Sequence, residues 1–566
     1  MNNVQNLLEV DSISIAFRDA DSAQIKEVVK NISFELQSGE VLAIVGESGS
    51  GKTVSTMAAM GLLPAKNTII SSGKITLNGE DLPIKEPQLK QWQEIRGKQI
   101  AMVFQDPMSS LNPSIQCGEQ IMEMMRNHEI GKDEASRKQK ALDLIKEVQL
   151  PLPSSTFRKY PHELSGGQKQ RVMIAMAIAA NPQIIIADEP TTALDVTVQK
   201  SVLSLLQKLI KERGAAMIFI SHDLDVVKDV AHKILVMYKG EVVEVGSTAE
   251  IIGKPKHSYT KGLINCKPPH SGKSFPLPTI KDFMGGKTFS SSEIADVTRQ
   301  KELIRLNGIS KDYPTKKTLF GKVSSSFTAV NKVCFSIMEG ETLGLVGESG
   351  CGKSSIGKIL SGLAEPSAGS MTYLGKPLDY KNRKEALIAR KSIQMIFQDP
   401  FSSLNPRIQI GEAIVESMKL HQANKSKNEL QSATEALLEE VGLSASDFNR
   451  YPHSFSGGQR QRIVIARTLA MEPKFIICDE SVSALDVSVQ AQVLNLLNEL
   501  KQSRNLTYLF ISHDLGVVRY MSNRIIVMKE GEVIEKGLAD VVFNRPNHPY
   551  TKELIASIPG KTATRT

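Results

Sequence analysis

Hydrophobic positions along this chain fall into two rhythms. Short, nearly unbroken apolar runs, VLAIV at 41–45, QIIIAD at 183–188, AMIFIS at 216–221 and TLGLV at 342–346, are of strand type. Longer stretches such as VQKSVLSLLQKLIKER at 198–213 return apolar residues every three or four positions, the spacing of an amphipathic helix. Strands alternating with helices predict an α/β sheet with covering helices. Between about 105 and 165, segments such as GEQIMEMMRN and ALDLIKEVQL read as helical, which predicts a helical subdomain inserted into that core.

The pattern occurs twice. FQDPMSSLNP at 104–113 returns as FQDPFSSLNP at 397–406, YPHELSGGQKQR at 160–171 as YPHSFSGGQRQR at 451–462, and FISHDL at 219–224 as FISHDL at 510–515. Ser165 to Asp188 and Ser456 to Asp479 are both 23 positions apart, and Asp188 to His222 and Asp479 to His513 are both 34. Spacing this rigid means duplicated domains. The early part varies: Gly46 to Gln105 is 59 positions and Gly347 to Gln398 is 51, a loop-length change around 80–90. The boundaries expected are 1–266 for the first domain, 267–301 for a linker and 302–566 for the second domain. The linker is rich in Pro, Gly, Ser and Lys (KPPHSGKSFPLP, GGKTFSSS) and reads as a surface connection with a short ordered piece.

Composition changes this picture little. The chain has 566 residues, 41% hydrophobic and 23% charged, and a net charge of +8 from 69 basic and 61 acidic residues, too small a surplus to indicate a nucleic-acid groove or a polybasic membrane anchor. The longest apolar stretches, such as Val172–Ala180, fall far short of the ~20 residues that span a bilayer. MNNVQNLLEVDS at the start lacks the basic and apolar regions of a secretory signal, so a cytoplasmic protein is expected. Cysteines 117, 266, 334, 351 and 478 contain no C-x-x-C pair, which argues against a zinc site or a disulfide framework.

Chemistry enters with two phosphate-binding loops, GESGSGKT (Gly46, Glu47, Ser48, Gly49, Ser50, Gly51, Lys52, Thr53) and GESGCGKS (Gly347, Glu348, Ser349, Gly350, Cys351, Gly352, Lys353, Ser354). In G-x-x-x-x-G-K-[ST] the glycines let backbone N–H groups wrap phosphate oxygens, the Lys neutralises the terminal phosphates and the hydroxyl holds Mg²⁺. Each follows a strand-like run and opens a helix, so phosphate would meet a helix N-terminus. A thiol at such a place, beside Lys353, is expected to ionise readily if Cys351 is exposed, and ATP is expected to cover it.

With SGGQ between the phosphate loop and an acidic strand (IIIADEPTTALDVTVQ at 184–199, FIICDESVSALDVSVQ at 475–490), the chain resembles the ATP-binding cassette family over nearly its whole length. FQDP-x-SSLNP and HSYT/HPYT (His257–Thr260, His548–Thr551) are similar to the oligopeptide/dipeptide importer ATPases, with relatives assigned to glutathione, peptide-antibiotic or nickel uptake. The resemblance implies an α/β fold of two tandem cassettes, each with a helical subdomain and an N-terminal antiparallel β portion. It implies that Asp188 and Asp479, with Thr53, Ser354, Gln105 and Gln398, hold Mg²⁺. Glu189 and Glu480 would polarise the attacking water, and His222 and His513 would hold the γ-phosphate. Cassettes of this family close head to tail: Lys52 would face Ser456, Gly457, Gly458 and Gln459, and Lys353 would face Ser165, Gly166, Gly167 and Gln168. Asp195 and Asp486 would connect the two sites, and Phe17 and Tyr313 are candidates for adenine stacking.

The function implied is the ATP-hydrolysing subunit of an importer for peptides or related small solutes, peripheral on the cytoplasmic membrane face. Its partners would be two integral-membrane permeases and, indirectly, a secreted or periplasmic solute-binding protein, with no nucleic acid. The alternative is a tandem-cassette ATPase acting on ribosomes or nucleic acid, of which the translation-factor type usually has a long, charged helical connector and lacks the His and the DNA-repair type carries zinc modules that the cysteine spacing excludes; an exporter ATPase is a third. The HSYT/HPYT segments read as packing elements with no part in catalysis. Three departures stand out. Ser481 replaces Pro190 and is expected to loosen the turn after Glu480, Cys351 replaces Ser50, and Cys266 stands alone where some relatives have several cysteines for an iron–sulfur cluster.

Overall fold

The computed structural model describes residues 6–18, 24–192, 194–269, 272, 274–286, 292–293, 301–317, 323–420, 425–483 and 485–558. Parts of the expected linker, including 287–291 and 294–300, lie outside the described residues. The chain divides into two compact units, Met1–Ile264 with Ile280–Lys287, and Asn265–Thr279 with Thr288–Thr566.

In the first unit the unbroken apolar runs form the middle of a six-stranded sheet, in the order Glu241–Ser247, Lys233–Tyr238, Val41–Val45, Ala216–Ser221, Ile184–Asp188, Ile100–Val103. All neighbours are parallel except the Glu241–Ser247 edge. The second unit repeats this order with Glu532–Leu538, Arg524–Lys529, Thr342–Val346, Thr507–Ile511, Phe475–Asp479 and Ile393–Ile396. Val41–Val45, Ile184–Asp188 and Ala216–Ser221 are buried at every position, which explains why they show no polar alternation.

Each unit adds a four-stranded antiparallel sheet. In the first it runs Ile25–Gln37, Asn6–Arg18, Thr68–Leu77, Glu80–Asp81. In the second it runs Val323–Met338, Glu302–Lys317, Ala368–Tyr373, Lys376–Pro377. Leu8, Ile13, Ile15 and Ile32 from this sheet and Leu42, Ile44 and Ile218 from the parallel one share one core, so the antiparallel portion is bonded to the phosphate loop's own strand by packing. The helical insertion contains Cys117–Asn127, Glu134–Glu147 and Pro153–Arg158 in the first unit, and Ile410–Lys419 and Lys427–Glu440 with a 3₁₀ turn at Ala445–Asn449 in the second. Its packing is tight: a Cβ at Gly118 or Gly411 would lie 2.1 or 2.3 Å from the ring of Phe157 or Phe448. The long helix expected from 198 begins at Val196, because the Asp195 carboxylate accepts the Val198 N–H and caps it.

The Pro-rich connection is anchored more firmly than its composition suggests. Leu277 is buried in the second unit, where its N–H donates to Asn495 Oδ1 at 2.7 Å and its carbonyl accepts from Asn495 Nδ2 at 2.8 Å. Tyr520 donates its hydroxyl to the Ser274 carbonyl at 3.2 Å. One amide side chain thus satisfies both backbone groups of a buried residue, as a neighbouring strand would. Asn495→Ala leaves both unpaired, at a cost of about 1–3 kcal/mol each. Limited proteolysis between Lys267 and Lys281 should therefore be several-fold faster in this variant than in the wild type; equal rates would show that the anchor is unimportant.

Candidate functional site

Each phosphate loop leaves the C-terminal end of a strand flanked on both sides by parallel neighbours and enters a helix, Lys52–Ala59 or Lys353–Leu360. Two glycines in each loop are sterically required. A Cβ at Gly46 would lie 2.3 Å from the Met237 carbonyl oxygen, and one at Gly347 the same distance from that of Met528. Gly51 and Gly352 have φ near +100° and also run against backbone carbonyls. The lysine folds back over the loop it follows. Lys52 Nζ donates to Gly46 O at 2.7 Å and Glu47 O at 2.9 Å; Lys353 Nζ donates to Gly347 O at 2.6 Å and Glu348 O at 2.7 Å. A buried ammonium and a helix N-terminus point into one cradle, an arrangement suited to a polyphosphate.

A hydroxyl and an acid meet beside it. Thr53 Oγ1 lies 3.1 Å from Asp188 Oδ1, and Ser354 Oγ lies 3.0 Å from Asp479 Oδ1. Neighbouring oxygens around an octahedral Mg²⁺ with ~2.1 Å bonds are about 3.0 Å apart, so each pair fits two positions of that ion. Burial pushes the Asp188 carboxyl up to about 6 against the opposing pull of Thr53, and pushes Asp479 up as well. A divalent cation would supply the charge that burial withholds.

The residue after each strand turns sharply, with φ +44° at Glu189 and +48° at Glu480. Its carboxylate collects the other sequence candidates. Glu189 Oε2 is 3.1 Å from Gln105 Nε2 and 3.2 Å from His222 Nδ1; Glu480 Oε2 is 2.6 Å from Gln398 Nε2 and 3.6 Å from His513 Nδ1. Burial works against the charge of both Glu carboxyls, but His222 and Lys52, or His513 and Lys353, more than offset it and hold both below the ordinary carboxylate range. His513 is raised: burial opposes its charge, and Glu480 overrides burial. An ionised carboxylate in this position can orient water and accept its proton. Thr192, which the sequence reading overlooked, also donates to Glu189 Oε2 at 3.0 Å; its counterpart Ser483 donates to the Glu480 backbone carbonyl instead, at 2.9 Å.

The other candidates divide by place. Ser165 and Gln168 cap the helix Gly166–Ile178 reciprocally, as Ser456 and Gln459 cap Gly457–Leu469. Gly167 and Gly458 admit Val198 and Val489, which would lie 2.3 and 2.1 Å from an added Cβ. Asp195 and Asp486 stand at the N-caps of the next long helices. Phe17 is partly buried against the first core, whereas Tyr313 is exposed, with its hydroxyl 3.4 Å from Ser355 Oγ in the helix after the second loop. The two aromatics are therefore not in equivalent settings.

Two expectations are corrected. Ser481 does not loosen the turn, since Glu480 keeps the dihedral of Glu189 and Ser481 is itself buried. Cys351 is only 5% exposed, and burial pushes its thiol up despite Lys353, so it is not an activated thiol. The HSYT/HPYT tyrosines reach the loops: Glu47 N–H donates to Tyr259 Oη at 2.9 Å and Glu348 N–H to Tyr550 Oη at 3.1 Å. The recurrence of that motif in both halves was the available signal, and reading it as packing alone missed this contact.

Comparison with known proteins gives these pairs of sites a family. The family model for ABC transporters matches residues 29–192 and 330–483, and that for the oligopeptide/dipeptide transporter C-terminal region matches 243–287 and 534–566. The chain belongs to the ABC transporter family. Glutathione import ATP-binding protein GsiA of Escherichia coli K12 is 43% identical over 98% of this chain and 90% of its own length, and the protein of that name from Shigella dysenteriae is 42% identical over the same shares. A solved structure of cbiO1 from Clostridium perfringens, described as part of the ABC transporter complex cbiONQ, is 27% identical, covers 44% of this chain and 92% of its own, and has a TM-score of 0.38. As an ABC ATPase the chain binds and hydrolyses ATP. A role on ribosomes or nucleic acid finds no support in these comparisons.

If both ABC sites use their Glu as water-activating base, Glu189→Gln and Glu480→Gln should each slow ATP turnover by about 10²-fold or more while preserving ATP binding. Unchanged turnover in Glu480→Gln would make the second site non-hydrolytic.

Proposed function

We propose that this chain powers an ABC importer for peptides or related small solutes, glutathione among them. The observation that carries the reading is that an oligopeptide/dipeptide transporter C-terminal region follows each cassette, in a chain similar along 98% of its length to proteins named for glutathione import. The domains proposed are 1–266 and 302–566, with 267–301 between them.

In this reading each ATP is held by one cassette's phosphate loop and capped by the other's SGGQ. Lys52 and Thr53 work with Ser456, Gly457, Gly458 and Gln459; Lys353 and Ser354 work with Ser165, Gly166, Gly167 and Gln168. Lys52 and Lys353 neutralise the β- and γ-phosphates, Asp188 and Asp479 with Gln105 and Gln398 take the Mg²⁺ side, and the Glu carboxylates take the proton of the attacking water. Mg²⁺ would neutralise charge on the phosphate oxygens. His222 and His513 reach the γ-phosphate, Asp195 and Asp486 link the two sites, and Phe17 and Tyr313 stack on adenine.

No helix among the described residues is long and apolar enough to cross a membrane. In this reading the solute path belongs to two integral-membrane permeases, with a secreted or periplasmic binding protein delivering solute, and this chain sits on the cytoplasmic membrane face. The SSLNP turns offer a docking surface: Met108 and Phe401 are 65% and 62% exposed. Each leans on the helix that SGGQ opens, Met108 Sδ accepting from Lys169 Nζ at 2.8 Å and the Arg460 guanidinium lying 4.0 Å over the Phe401 ring. Exposed apolar side chains in such a position suit a partner contact.

Met108→Glu with Phe401→Glu should abolish solute uptake and membrane association while basal ATP hydrolysis stays within a few-fold of normal. Retained sedimentation with membranes, or sedimentation with ribosomes instead, would overturn this assignment.

A further inference from the structure

Resting on the reading of Gly46–Thr53 and Gly347–Ser354 as ATP-binding loops, we infer that Tyr259 and Tyr550 are positioning residues for nucleotide binding, through which the C-terminal region of each cassette sets the conformation of its phosphate loop. The decisive feature is a single peptide group. In the Gly46–Glu47 peptide, the carbonyl accepts from Lys52 Nζ at 2.7 Å and the N–H donates to Tyr259 Oη at 2.9 Å. In the Gly347–Glu348 peptide, the same two groups bond Lys353 Nζ at 2.6 Å and Tyr550 Oη at 3.1 Å. The C=O and N–H of a trans peptide point in opposite directions, so the lysine and the tyrosine clamp one plane from its two ends. A peptide next to glycine meets little steric resistance to rotation. Hydrogen bonds therefore decide which way its carbonyl points, and that carbonyl is one of two that aim the lysine.

The tyrosines are held by the transporter C-terminal region itself. His257 Nδ1 accepts the Tyr259 N–H at 3.1 Å, while Glu244 accepts the Lys256 and His257 N–H groups at 2.8 and 3.1 Å. In the second unit His548 Nδ1 accepts the Tyr550 N–H at 3.1 Å, and Glu535 accepts those of Asn547 and His548 at 2.8 and 3.1 Å. This gives HSYT and HPYT their shape: the His caps the helix start, which turns the Tyr two residues later inward. Tyr259 is fully buried. What surrounds the two rings differs, with Tyr238 4.3 Å from the Tyr259 ring and the Lys529 ammonium 4.9 Å over the Tyr550 ring. The ring neighbours have changed between the halves, yet the hydroxyl contact to the loop is kept.

Phenylalanine retains the ring and removes only the hydroxyl, so the test is the full-length Tyr259→Phe, Tyr550→Phe double variant. The KM for ATP should rise about fivefold, the size expected for one neutral hydrogen bond, with kcat within about threefold of the wild type. A purely structural role would lower the melting temperature and leave KM alone. A KM within twofold of the wild type would overturn the inference, whatever the melting temperature. Failure of the ATP-site reading is distinguishable, because the wild-type chain would then show no Mg-ATP hydrolysis at all.

Discussion

Presenting backbone N–H groups to a polyphosphate requires the chain to turn tightly between a strand and a helix, and that closure constrains everything around it. Gly46 and Gly347 pass so close to the neighbouring strand's carbonyl that no side chain fits. The loop's own carbonyls hold the lysine over the opening. The sheet must be parallel here, because only then do Asp188 and Ser221, or Asp479 and Ile511, end at the same edge as the loop. Glu and His follow those strand ends, Gln follows the edge strand Ile100–Val103 or Ile393–Ile396, and the three meet at one carboxylate in each unit. The antiparallel sheet and the C-terminal region support the arrangement from outside, the first through a shared core and the second through a tyrosine.

Much of this was legible in the sequence because duplication supplied an internal control. Fully buried strands appeared as VLAIV and QIIIAD, and chemistry-bearing residues kept identical spacing in both halves. Boundaries were less legible, since the start of Val196–Arg213 depends on a capping carboxylate rather than on periodicity. A short ordered piece was readable in the Pro-rich connection, but its anchor was not, because composition does not show that one side chain, Asn495, can pair the backbone of Leu277. Cys351 misled because proximity to Lys353 and a helix N-terminus was readable while its burial was not. Thr192 was missed because a single hydrogen bond leaves no spacing pattern, whereas Tyr259 and Tyr550 stand in a motif that recurs in both halves and whose reading as packing hid its contact with the loops.

The two cassettes are close copies with local differences at the acid. Glu189 has a threonine hydroxyl on its carboxylate, and Glu480 has a closer glutamine and a more distant histidine. The backbone turn is the same in both, so Pro190 and Ser481 are alternative ways to build it. The cradle, lysine, hydroxyl and acid are matched to within about 0.2 Å in their hydrogen bonds. Matched geometry on the phosphate side favours equal hold on the phosphates, and the different surroundings at the acid bear on the hydrolytic step.

Equilibrium binding of a non-hydrolysable ATP analogue with Mg²⁺ to the purified full-length chain tests most directly whether the same cradle is built twice. Two nucleotides bound per chain, falling to one in either Lys52→Ala or Lys353→Ala, is the result this structure demands; one nucleotide per wild-type chain would contradict it.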